Sequence, residues 1–207
     1  GSTPDTTVAT FPRFSPAYAV PLTPRPIPDS ILVDCVDHAT LRDALILRLA
    51  AEAGLRCVEI AQVEVGDVYE GADGWDLFVR GKGGRTRTVP ITADLAQAII
   101  TRCAATGQYA FPGRFGGHMA ANSVSQIGRR VLPDTWTLHK LRHRYATKAY
   151  SAEHDLLIVR ELLGHASLQT TVRYIAPSPR ARDAVLDATR VQSPASPNNP
   201  ILPAQPA

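Results

Sequence analysis

The sequence predicts an α+β fold: a mostly helical single domain with a small three-stranded antiparallel sheet. Three observations carry this. Apolar residues recur at helical spacing in most segments between 41 and 189. Three short β-type runs cluster between 65 and 90, the last two joined by Gly81-Lys82-Gly83-Gly84, a hairpin turn. Proline-rich flanks bound the folded unit at 29–190, with a linker or extended arm over 1–28 and a disordered tail over 191–207.

In chain order, residues 41–53 place Leu41, Leu45 and Leu49 on one helical face and stop at Gly54, a residue that accepts the left-handed conformation cheaply. A short helical turn follows over 57–62. Strands are predicted at 65–70, 75–80 and 85–90. Thr92 suits the N-cap of a helix reaching about residue 104. Further helices are predicted over 121–132 and 138–150. A broken pair, 155–163 and 167–175, comes next, and an amphipathic helix over 180–189 completes the unit.

Composition narrows the function. No run of about 18 apolar residues exists, so no transmembrane helix is expected. The N-terminus does not resemble a signal peptide; Gly1-Ser2 looks like a remnant of cloning. Cys35, Cys57 and Cys103 are odd in number and lack CxxC spacing, which points to reduced thiols in a cytoplasmic protein. The net charge of +3 hides a division. Residues 29–79 carry three Arg against eleven Asp/Glu, a balance of −8; residues 80–179 carry fourteen Lys/Arg against five Asp/Glu, a balance of +9. Such asymmetry suits a polyanionic partner, although a solvated basic face would look the same.

Several stretches could carry chemistry. In ELLGHASLQTTVRYI, residues 161–175, an unbroken helix would set His165 and Tyr174 on opposite faces, at ~100° per residue. Gly164 breaks it and Ser167 can restart it, so both residues can face one site; a buried tyrosine in a helical hairpin is the plainer alternative. In TLHKLRHRYATKAY, His139 and Arg142 stand three apart and share a face. That face joins a proton-exchanging group to a fixed cation able to fork onto phosphate oxygens. His139 and His143 also have the i, i+4 spacing of a zinc helix, but Lys140 stands where the general-base Glu would be. Lys140, Arg142 and Arg144 would moreover repel a dication, so no metal is expected. In GLRCVE, Glu59 either makes a surface ion pair with Arg56 or fixes a partly buried Arg56 for another partner. Lys82 sits at the tip of a glycine-rich hairpin with Arg85 and Arg87 behind it, either a solvated turn or a cation able to enter a groove.

Taken together, AGLRCVEI, GKGGRTRTVPI, TLHKLRHRYAT and ELLGHASLQTTVRYI resemble the catalytic domain of the tyrosine recombinase, or phage integrase, family. The four motifs span 53–175 in the family's order. The resemblance implies a site-specific recombinase that cuts and rejoins double-stranded DNA without metal, ATP or other cofactor. Tyr174 would attack a backbone phosphate, forming a 3′-phosphotyrosine link and releasing a 5′ hydroxyl. Arg56 and Arg142 would clamp the non-bridging oxygens and His165 would add a hydrogen bond. Lys82 would protonate the leaving oxygen, His139 would assist proton transfer at Tyr174, and Glu59 would support the site. Arg85, Arg87, Lys140 and Arg144 are the expected DNA contacts. A type IB topoisomerase-like nicking-closing enzyme and a non-catalytic DNA-binding module are the alternatives.

One departure stands out. Family members usually carry a helical core-binding domain before the catalytic one, and 28 proline-rich residues cannot supply it. The chain is therefore expected to be an excised catalytic domain. The helix at 180–189 resembles the segment that relatives dock onto a neighbouring protomer. Its apolar face is modest, so a monomer free in solution and a tetramer in the DNA synapse are expected.

Overall fold

The structure, a computed structural model of the 207-residue chain, describes residues 26–133, 135–153, 162–164 and 179–191. Helix α1 covers Asp29–Asp37, α2 Leu41–Glu52 and α3 Cys57–Ala61. Strands β1 (Val68–Gly71), β2 (Gly74–Arg80) and β3 (Thr86–Ile91) follow, then α4 (Ala93–Thr106), α5 (Ala121–Val131), α6 (Leu138–Glu153) and α7 (Pro179–Thr189). The sheet is antiparallel in the order β1-β2-β3, with Leu77 opposite Val68 on one side and Val89 on the other.

Local chemistry explains most boundaries. Thr40 Oγ1 accepts from Asp43 N at 3.2 Å to start α2, and Thr92 Oγ1 accepts from Leu95 N at 3.3 Å to start α4. Thr137 does the same for α6, accepting from Lys140 N at 3.3 Å. Gly54 ends α2 with φ +63°. Its missing side chain is also required by packing. A Cβ there would overlap the Tyr145 ring, 2.9 Å from Cε1.

Two expectations for the elements change. Residues 65–67 form a 3₁₀ turn rather than the start of a strand, because Asp67 Oδ2 accepts from Glu64 N at 3.1 Å and closes a local cap. Helix α1 was not predicted; it begins directly after Pro28 and buries Leu32 and Cys35. Ile27, inside the segment expected to be an arm, is buried in the core.

The core is centred on α2, whose Leu45, Ile46, Leu47, Leu49, Ala50 and Ala51 are all buried. Helices α1, α4, α5 and α6 pack around it. Each fully buried Leu or Ile contributes roughly 1.5–3 kcal/mol. On the other side α4 meets the sheet through Leu95 and Ile99, with Leu77, Val79, Val89 and Ile91 facing the same core. A smaller cluster joins α6 to α7 and to residues 162–163: Tyr145, Ala149, Leu162, Leu163 and Val185.

Arg144, expected at the DNA, is instead 1 % exposed and structural. It bonds Asp29 Oδ1 through Nε (3.0 Å) and Nη2 (2.8 Å), and its Nη1 donates to Ala51 O and Thr189 O. One guanidinium thereby ties α6 to α1, α2 and α7. Helix α7 is likewise seated on its own chain. Val185 and Thr189 are buried, and Arg182 bonds Asp76 Oδ1 at 2.8 Å and Trp75 O.

Candidate active site

Glu59 is the centre on which the described site residues converge. It is the third residue of α3, and its Oε2 accepts from Arg56 N at 2.8 Å, closing that helix start. Its Oε1 accepts from Arg56 Nη1 at 2.9 Å. Arg87, reaching across from β3, forks onto both carboxylate oxygens at 2.8 Å each. Arg142 Nη1 lies 3.5 Å from Glu59 Oε2. Three guanidinium groups thus share one buried carboxylate. Burial alone would raise the Glu59 pKa; the bonds and charge of Arg87, the Arg56 N–H and Arg142 together bring it below the usual carboxylate value.

The surplus positive charge has consequences. Burial, followed by the nearby Arg56 charge, pushes Arg142 down to about 10, still a cation at neutral pH. Arg142 points inward and donates to Gly54 O and Leu163 O. Arg56, by contrast, keeps its side chain 39 % exposed and is the cation of this group open to a ligand. His139, one turn before Arg142 on α6, is drawn below its usual pKa by partial burial, then by His143, Arg142 and Arg56. These influences favour its neutral imidazole form, which can accept a proton. His143 faces it with Nε2 to Nε2 at 3.0 Å, the rings nearly perpendicular.

The same centre reaches Gly81 and Gly164, the residues that directly precede Lys82 and His165 in the chain. A Cβ at Gly81 would lie 3.7 Å from Glu59 Oε1, so the residue before Lys82 abuts the carboxylate. At the other side, Arg87 Nε donates to Leu162 O at 2.8 Å, and a Cβ at Gly164, the residue before His165, would lie 3.3 Å from Arg87 Cδ and Nη1. Gly164 has φ +60°, the left-handed break the sequence requires there. His165, Tyr174 and the side chain of Lys82 lie outside the described residues.

Residues 29–180 match the sequence pattern of the Phage integrase family. The chain belongs to that family. Among curated relatives of this phage integrase family member is a tyrosine recombinase XerC of Nitrobacter winogradskyi, 37 % identical over 145 residues, 64 % of this chain and 45 % of that protein. The XerC of a Methylobacterium species is 37 % identical over 175 residues, covering 73 % and 54 % respectively. The chain thus spans about half the length of these relatives. Among solved structures, the integrase of mycobacterium phage Brujita superposes with a TM-score of 0.63 at 28 % identity, covering 83 % of this chain and 61 % of that one. The XerH recombinase bound to its difH substrate has the same fold, with a TM-score of 0.58 at 22 % identity over 67 % and 46 % of the two chains.

Within this integrase domain the expected DNA contacts divide. Arg85 is exposed beside the hairpin tip. Lys140 is half-buried, bonded to Thr135 O with Nζ 5.1 Å from the Trp136 ring centre. Arg87 is 7 % exposed and fully engaged with Glu59 and Leu162, so it does not face DNA as expected. A sequence signal for this exists. In TRTVPI the period of two puts Arg87 on the face of Val89 and Ile91, both core residues. Arg144 gives the same lesson on α6, three residues beyond buried Leu141 and next to buried Tyr145.

Among the described residues, no group of three or more His, Cys, Asp or Glu could hold a metal ion, and no helix is long and apolar enough to cross a membrane. The three cysteines are free thiols, two of them buried.

Proposed function

We propose that this chain is the catalytic portion of a site-specific recombinase that cleaves and rejoins double-stranded DNA through a 3′-phosphotyrosine at Tyr174. The observation that carries this reading is the shared carboxylate: Glu59 gathers Arg56 and Arg142 at one point, with His139 on the same helix as Arg142. Such a cluster suits a phosphodiester whose non-bridging oxygens gain charge in the transition state. Preorganised donors of this type are worth ~10²–10³ in rate each. A DNA phosphate would draw Arg56 outward, and Arg142 would contribute mainly its fixed charge and orientation unless it exchanges a carbonyl partner for phosphate oxygen.

In the reaction, Tyr174 Oη would attack phosphorus while its proton passes to His139. The P–O5′ bond breaks and Lys82, preceded by Gly81 against Glu59, would give a proton to the leaving 5′ oxygen. His165 would donate to a non-bridging oxygen. The phosphotyrosine keeps the bond energy, so a 5′ hydroxyl from a second duplex can reverse the step and reseal the strand with no cofactor. The XerH and Brujita relatives, a recombinase on DNA and an integrase by name, support this assignment. Seating of α7 on its own chain is compatible with a monomer off DNA and a tetramer assembled on two duplexes, acting on DNA of a bacterial cytoplasm. The residues preceding Ile27 would act as linker and those beyond Val191 as tail, since both of these residues pack on the core.

The test is incubation with a nicked suicide duplex in EDTA, followed by denaturing electrophoresis. A band shifted by covalently attached DNA supports the reading. Binding without any adduct at every duplex tried would reduce the chain to a DNA-binding module.

A further inference from the structure

Arg87 has no role in the chemistry above, yet all three of its side-chain nitrogens are bonded beside it. Its two terminal nitrogens hold both oxygens of Glu59 at 2.8 Å, and its Nε holds Leu162 O at 2.8 Å. Its stem and Nη1 fill the space beside Gly164, where a Cβ would come within 3.3 Å. Its Nη1 also lies against Gly81, 4.0 Å from where a Cβ would stand. Arg87 therefore touches three things at once: the carboxylate that orients Arg56, the turn that leads into His165, and the glycine before Lys82. At 7 % exposure it has no route to DNA.

We propose that Arg87 is a positioning residue of the strand-transfer site, setting the turn before His165 in fixed register with the Glu59–Arg56 pair. The inference rests on the proposed recombinase reading. Only an arginine serves, because the fork satisfies Glu59 bidentately while Nε remains free for Leu162 O. Lysine keeps the charge but has one nitrogen for three acceptors. It can neutralise Glu59, but it must give up or weaken the bond to Leu162 O, leaving the 162–164 turn to the Arg142 bond at Leu163 O. A misplacement of about 1 Å at a reacting centre costs ~10²-fold in rate. That is the loss expected for Arg87→Lys in single-turnover cleavage at saturating DNA. DNA affinity and its salt slope should stay unchanged, because no phosphate contact is removed.

The experiment compares wild type, Arg87→Lys and Gly164→Ala in three measurements: adduct formation at saturating nicked duplex, DNA affinity across a salt series, and amide hydrogen exchange of the DNA-free chain. Support is a ~10²-fold slower adduct with unchanged affinity, and exchange at Leu163 and Gly164 raised well beyond that of α4 amides. Gly164→Ala, which leaves the Arg87–Glu59 pair in place but crowds the turn against it, should show the same signature even if Arg87→Lys fails to fold. An unchanged rate at saturation with weaker binding and a salt slope shallower by about one would make Arg87 a phosphate contact. Uniformly raised exchange with an unchanged rate would make it a fold-stabilising residue only. If wild type itself forms no adduct, the recombinase reading fails, while the exchange comparison still decides whether Arg87 holds the turn.

Discussion

Arg144 and Asp29, separated by 115 positions in the chain, meet through two hydrogen bonds of 3.0 and 2.8 Å, and this pair joins the first helix to the sixth. Lys148 adds a third cation contact to the same carboxylate at 2.6 Å. Because Arg144 also satisfies Ala51 O and Thr189 O, Arg144→Met would leave two buried carbonyls without their donor. A loss of about 2–4 kcal/mol is expected in urea unfolding. DNA affinity and its salt slope should be unchanged, measured by anisotropy; a slope shallower by about one would return Arg144 to the DNA interface.

Gly54→Ala tests the packing of α2 against α6. Alanine at φ +63° costs about 1–2 kcal/mol in backbone strain, and its Cβ must displace the Tyr145 ring. A total of about 2–4 kcal/mol corresponds to a fall in Tm of roughly 5–15 °C for a chain of this size. Scanning calorimetry checks it. An unchanged Tm would mean that Tyr145 does not pack there.

How much of this was legible beforehand differs by level. The periodicity of α2, α4, α5, α6 and α7, the glycine stops and the β2–β3 hairpin follow from local sequence, and all are present. Helix α1 was hidden because Ile31, Leu32, Val33, Cys35 and Val36 make a short, β-branched apolar run, interrupted by Asp34, whose spacing does not separate helix from strand. The 3₁₀ turn at Val65–Asp67 depends on a side-chain cap that competes with strand pairing. At the site, the motifs located Arg56, Glu59, His139 and Arg142, which the fold brings together. What they could not show is that Arg87 and Arg144 point inward. Each is held by an acid distant in sequence, 28 residues away for Glu59 and 115 for Asp29. Arginine spacing alone reads as a basic surface.

Glu59 sets a pH dependence. Its folded-state pKa lies below the unfolded value, so its stabilisation is complete above about 4.3 and is lost as pH falls through the folded value. Glu59→Gln removes the charge shared by three arginines and should cost about 3 kcal/mol at pH 7. The gap to wild type should narrow steadily below pH ~4 in urea titrations. A gap independent of pH would show that the carboxylate charge contributes little.

Lys82→Ala should slow cleavage strongly and be rescued by a duplex whose 5′ bridging oxygen is sulfur, because a thiolate leaves without a proton. Rapid-quench cleavage on paired oxygen and sulfur substrates reads the effect. Equal slowing on both would demote Lys82 to a phosphate contact.

The central claim is that Tyr174 becomes covalently joined to DNA, and it is tested by trapping the adduct on a nicked duplex, digesting it and identifying the modified peptide by mass spectrometry. The account predicts the 3′-phosphate on Tyr174, and a Tyr174→Phe chain that still folds and binds DNA but forms no adduct. An adduct that persists in Tyr174→Phe, or that maps to another residue such as exposed Tyr150, would contradict it.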